Sequence, residues 1–438
     1  MKHPTISRLA RGSIDGAKGR QSERGVTMVL VAMAIVAIMA MAALSIDVVT
    51  LYLANAESQR SANTAALAAA RILSIYGVTG DPNNSAGYWG TATAAARQVA
   101  QDVANQNVVG GTAPSTVSVN FPQGGGPAFG VNPIVQVQVQ RSNLPTFFAR
   151  IWGSRSATVS ATATAEAFNP SGSPAYPAGV VTVQPRCVKP WLVGNGTPPA
   201  NDYVDPDSGT ITNPGIQLNY ANGAAITVGS HILLQPSPYC TATDCLGARS
   251  NVVAQNRYIA ASVQPTPVAV ASGATGDLWQ DAIAGCDQTT VYACGTAGGA
   301  TADLTVNLGK NNGDTYNATQ ALISSGDTIV PTMYPFQIRA GLNNPLVAAR
   351  AVNDDDVVTA SNSIATIPLI DSRLPLPPAS PTPNVTVVGF LQIFIEQVDL
   401  TTGMIHGTAL NVSGCGTTGT TTSVTGSSPV PVRLISYP

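Results

Sequence analysis

Val26 to Ile46 is a run of 21 residues in which only Thr27 and Ser45 are polar. At about 1.5 Å rise per residue, a helix over this run is about 31 Å long, the thickness of a bilayer's hydrocarbon core. No other stretch restricts the chain so strongly. The run is longer than the core of a secretory signal, although Ala40-Met41-Ala42 offers an A-x-A cleavage site. The helical pattern also continues past it. No Gly or Pro occurs from Val26 until Gly77, and Leu, Ala, Gln, Arg and Glu dominate up to about Tyr76. One continuous helix of about 50 residues, about 75 Å long, is expected, with an uncleaved anchor preferred to a removed leader.

Charge orients the anchor. Residues 1–24 carry six basic residues (Lys2, Arg8, Arg11, Lys18, Arg20, Arg24) against Asp15 and Glu23, and the next Lys or Arg is Arg60. The positive-inside rule therefore keeps 1–24 in the cytoplasm and exports the chain beyond residue 46. The rest of the chain has 15 basic and 21 acidic residues. With a net charge of −2 overall, nothing favours nucleic acid as a partner. Charged residues make up 10% of the chain, with 41 Gly and 32 Pro, which suits a β-rich exported protein better than a cytosolic enzyme.

The stretch RGVTMVLVAMAIVAIMAMAALSIDVVTLYLANAESQRSANTAALAAARIL and a second one, LPTFFARIWGSRSATVSATATAEAF at residues 144–168, together resemble TadG-like proteins of the Tad (tight adherence, Flp) pilus system. The resemblance covers residues 24–168, about a third of the chain. It implies a membrane-anchored, pilin-like module that works with other Tad pilus or assembly subunits. Val26, Thr27, Met28, Val29 and Leu30 come directly after Gly25, without the Glu that type IV prepilins carry five residues into the mature helix. Asn63-Thr64 stands where the family commonly has Asp-Ala. Many relatives also carry a von Willebrand type A domain with a D-x-S-x-S metal site, which this sequence lacks, so that ligand function is not transferred.

Patterning fills in the module. Thr91–Asn107 reads as a second helix, with Ala95, Val99 and Val103 on one face. Ser115–Phe121, Val135–Arg141 and Ala157–Phe168 alternate apolar and polar residues as strands do, and Thr146–Trp152 suggests a short helix. The expected fold class is α+β: a transmembrane helix continuing into a pilin-like helix on a small antiparallel sheet, then a β-rich exported domain. The expected boundaries are a basic tail at 1–24, the membrane helix at 25–46, the module at 47–168, a Pro/Gly/Ser linker at 169–180 and the β-rich domain at 181–438. Short β-like runs recur in that last region. Val385–Val398, its most hydrophobic piece, contains Gln392, Glu396 and Gln397 and reads as a central strand rather than a second span.

All six cysteines, Cys187, Cys240, Cys245, Cys286, Cys294 and Cys415, lie beyond the apolar run, and an even number in an exported region suggests disulfides. The C-x4-C and C-x7-C spacings do not match common zinc ribbons. Fifteen pairings are open to six cysteines; one plausible set joins the neighbours Cys240–Cys245 and Cys286–Cys294, and Cys187–Cys415 would then close the domain end to end. The histidines, His3, His231 and His406, are isolated, and G-x-S-x-G, H-E-x-x-H and Walker A patterns are absent. Asp202, Asp205 and Asp207, and the Asp354–Asp356 run, read as hydrated turns rather than calcium loops. No catalytic residue, cofactor or metal is assigned. The expectation is a non-enzymatic pilus-apparatus component of the inner membrane, its N-terminus cytoplasmic and its bulk periplasmic or extracellular. The rival reading is an exported adhesin or carbohydrate-binding protein with a cleaved leader.

Overall fold

The computed structural model describes residues 19–79, 86–127, 131–153, 155–169, 183–196, 202–212, 231–236, 256–263, 277–287, 289–303, 311–330, 337–374, 376, 380, 382–415, 424–426 and 428–436. A single helix, α1 (Gly19–Ile75), runs for 57 residues, about 85 Å. Between Val26 and Ile46 its apolar side chains are exposed on every side, and this part is long and apolar enough to cross a membrane. Beyond Asp47 the same helix acquires a buried stripe of small residues, Ala54, Ser58, Ala62, Ala65 and Ala69, that ends in the larger Leu73. Their spacing of three and four residues keeps them on one face.

Small side chains let backbones approach closely. On α2 (Ala86–Gln106), Ala92, Ala96, Ala100 and Ala104 recur every fourth residue and are fully buried. The hydroxyl of Ser61 reaches the carbonyl of Ala104 at 3.3 Å across the helix pair. The expected face of Ala95, Val99 and Val103 lies beside this stripe and is only partly buried. Three strands continue the layer: β1 (Thr116–Asn120), β2 (Ile134–Pro145) and β3 (Ser156–Ala167), all antiparallel. Val135, Val137 and Val139 of β2 stand opposite Ala165, Ala163 and Ala161 of β3. A β-branched residue thus alternates with a small one across the face that receives α1.

The β-rich remainder contains several sheets. Its elements are β4 (Val183–Pro185), β5 (Trp191–Gly194), β6 (His231–Pro236), β7 (Arg257–Ala260), α3 (Leu278–Ala284), β8 (Gly295–Thr301), α4 (Asn311–Ile323), β9 (Thr328–Val330), β10 (Gln337–Arg339), α5 (Pro345–Ala348), β11 (Ile364–Ile370), β12 (Asn384–Val398), β13 (Ile405–Gly414), β14 (Val424–Gly426) and β15 (Val432–Ile435). In the largest sheet, β11, β5, β7, β6, β13 and β12 pair in succession, and β12 pairs back onto β11, so the ladder closes into a ring. Closure removes free strand edges. The 15-residue β12, the strand expected at Val385–Val398, is the hub, pairing with β8, β11 and β13.

The last strand does not stay in that region. β15 returns to β3, pairing Val432 with Ala167 and Arg433 with Glu166, and becomes the fourth strand of the first sheet. The boundary drawn at 169–180, most of which lies outside the described residues, is therefore crossed by β15. Glu166 is 0% exposed. Its carboxylate meets the Arg433 guanidinium, which also stacks on Phe168 at 4.7 Å, and accepts a long 3.4 Å bond from Asn132. Ser74 on α1 donates to Val430, and Asn411 on β13 donates to the Ser74 carbonyl, both at 2.7 Å.

Removing one partner of a buried pair strands the other charge. Arg433→Ala should destabilise the chain by about 3–5 kcal/mol in chemical denaturation. A Glu166→Leu, Arg433→Leu double variant should recover most of that loss.

Candidate functional site

Asp47 is the first charged residue after the apolar run, yet it is almost wholly buried. The connection between β2 and β3 folds against it. This segment holds a 3-10 turn, Ala149–Trp152, whose N-cap residue Phe148 supplies no side-chain cap. The first amides of such a turn have no partner within it. Asp47 supplies the acceptor from about 100 residues away in sequence: Oδ1 receives Phe147 N–H at 2.9 Å, and Oδ2 receives Phe148 and Ala149 N–H at 2.9 and 2.6 Å. Burial works against the charge on Asp47, but the three amide donors outweigh it and hold the carboxyl below its usual range. Gly153, at φ 93°, ends the turn in a conformation that favours glycine.

Further along α1, Glu57 accepts the Gly110 amide at 2.7 Å, and Gln59 donates to the Thr162 carbonyl at 3.2 Å. Gly110, at φ 58°, leaves no room for a Cβ, which would stand 2.3 Å from Leu144. The end of the module nearest the apolar run is therefore held to α1 by polar side chains reaching backbone groups. The predicted short helix at Thr146–Trp152 is present as the 3-10 turn. The clamp on it was not predicted: only the burial of Asp47, which the structure reveals, makes protein donors necessary.

In the β-rich region the structure joins Cys187 to Cys286 and Cys294 to Cys415. These pairings replace the candidate pairs Cys286–Cys294 and Cys187–Cys415. Topology is the reason. Cys294 precedes β8, whose Gly295 pairs with Val387 of β12, while the Cys415 amide donates to the carbonyl of neighbouring Val388. β12 thus gathers both cysteines. Cys187 donates its amide to Asp287, beside Cys286. Cys240 and Cys245 lie outside the described residues. The two loops span 99 and 121 residues without overlapping, and the chain-entropy model gives each about 4.7 kcal/mol.

The acidic turns are engaged internally. Asp205 accepts from the Asp207 amide and the Ser208 hydroxyl, while Asp207 and Asp371 share the Arg373 guanidinium. Asp355 pairs with Arg339, and Asp356 accepts from the Asn353 amide. Among the described residues, no three His, Cys, Asp or Glu side chains gather as a metal site would require. Lys189, which sequence reasoning passed over, is buried and donates to the Gly285 carbonyl at 2.5 Å. Burial pulls its ammonium down to about 7. The folded pKa lies below the unfolded one, so this group's contribution rises with pH from about 7 towards the usual lysine value. His406 lies partly buried on β13; His3 is outside the described residues, as is the side chain of His231.

Asp47→Asn should accelerate amide exchange at Phe147, Phe148 and Ala149 and lower the melting midpoint. In the wild type, the folded carboxyl titrates below its unfolded value of about 3.9. The clamp's contribution is full above that value and is lost as pH falls through the lower folded pKa. Non-reducing peptide mapping should recover Cys187–Cys286 and Cys294–Cys415 as linked pairs; a Cys286–Cys294 peptide would contradict the topology.

Compared with family models, curated proteins and solved structures, the chain matches none of them.

Proposed function

We propose that the chain is a membrane-anchored structural component of a Tad-type pilus apparatus. The observation carrying this reading is the double nature of α1. Its first part is apolar and exposed on all sides, and the same unbroken helix then becomes the core of an α-on-sheet module. A helix built in this way anchors and presents a folded domain at once, as a pilin-like subunit requires. The resemblance of residues 24–168 to TadG-like proteins supports the same assignment. Two disulfides suit an oxidising compartment for the β-rich region, which projects outward and contacts other pilus or assembly subunits. No catalytic role is assigned.

Alkaline phosphatase fused after Pro170 should be active, and the same enzyme fused at the N-terminus inactive. The chain should stay in the membrane fraction through carbonate washing. Ala37→Arg, near the centre of the apolar run, should impair insertion at a cost of about 2.5–3.5 kcal/mol. A soluble wild-type chain beginning near Ala43 would instead support the exported adhesin with a cleaved leader.

A further inference from the structure

The exposed apolar surface does not stop where a bilayer's hydrocarbon core would. The run Val26–Ile46 accounts for about 31 Å, yet Val48, Val49, Tyr52 and Leu53 are also exposed, Tyr52 to 72%. Residues 47–53 add about 10 Å of helix, enough to cross the headgroup layer of about 5–8 Å on one side of a bilayer. Asp47 holds the β2–β3 connection against α1 at this level, through three amides. The connection carries Phe147, exposed to 60%, and Phe148, half-buried beside it. Arg150 and Arg155 are both exposed, and the segment from Pro145 to Arg155 contains no acidic residue. An exposed aromatic beside cations, level with the end of an apolar helix, has the composition of a membrane-interface anchor.

We propose that the Thr146–Arg155 connection is a second membrane contact, docking on the headgroup layer of the leaflet from which α1 emerges. Phe147 enters the boundary between headgroups and acyl chains, and Arg150 and Arg155 meet anionic lipid phosphates. This rests on the anchoring reading above. Its consequence is geometric: a single helix is free to tilt and rotate, whereas a helix plus a clamped loop fixes the module's orientation to the membrane.

The test uses the full chain in vesicles of phosphatidylethanolamine and phosphatidylglycerol. Phe147→Trp in a Trp152→Phe background places a fluorescent reporter at the exposed position. Trp89, Trp191 and Trp279 are buried inside the protein and supply a constant background. Lipids brominated high on the acyl chain should quench the reporter more strongly than lipids brominated near the chain end. Adding Asp47→Ala should reduce that quenching. Reporter emission untouched by either lipid, in a chain that resists carbonate extraction, would overturn the second contact and leave the anchor standing. Blue-shifted but unquenched emission would overturn it in favour of a protein surface covering Phe147. Extraction of the chain by carbonate would reject the anchor and this contact together. A Phe147→Ser chain that matches the wild type's protease resistance in detergent tests the point without a reporter: in vesicles its connection should be cut faster than the wild type's, and equal cutting in vesicles would overturn the second contact.

Discussion

A helix satisfies its own backbone, so it can leave one surrounding and enter another without changing conformation. α1 depends on this. Its hydrogen-bond ladder is continuous while its surface changes character between Asp47 and Ala54, from exposed large apolar side chains to a buried face that begins with Ala and Ser. The change of surface decides what each half contacts. The small stripe can be filled only by backbones that come close, and the alanines of α2 and β3 provide them. The valines of β2 supply the remaining volume.

The parts that were readable from sequence are those set by local patterning. The Val135–Val139 alternation and the apolar Val385–Val398 run became the strands their patterning implied, whereas the second helix formed as expected but buries Ala92, Ala96, Ala100 and Ala104 rather than the expected face of Ala95, Val99 and Val103. What was not readable depends on long-range pairing. Four residues, Val432–Ile435, carry too little pattern to announce a strand, and only Glu166 on β3 explains why an arginine sits among them. The cysteine partners were likewise hidden. Spacing along the chain favours near neighbours, whereas β12 brings together residues more than a hundred positions apart. Asp47 was visible as a residue but not as a clamp, since its donors lie in a turn with no capping side chain of its own.

The features described at the candidate site are interactions within the fold. They comprise a carboxylate that organises backbone, cysteines joined into bridges, and acidic turns neutralised by Arg339 and Arg373. Asp47 and the bridged cysteines join distant parts of the fold, while Asp205 and Asp356 also brace their own turns. Such an arrangement suits a component that holds position, as the proposed role requires.

The return of the last strand to the first sheet carries a consequence in time. If the chain beyond the apolar run is exported in sequence order, the end of α1 and strands β1, β2 and β3 emerge long before Val432. Until then β3 has an open edge and Glu166 lacks its guanidinium. Unpaired edges and uncompensated charges are sites where chains associate wrongly. The module therefore cannot finish folding as it emerges; it has to wait for β15. A chain terminated before Val432 would expose that edge permanently, so the fold distinguishes molecules that reach β15 from those that stop short.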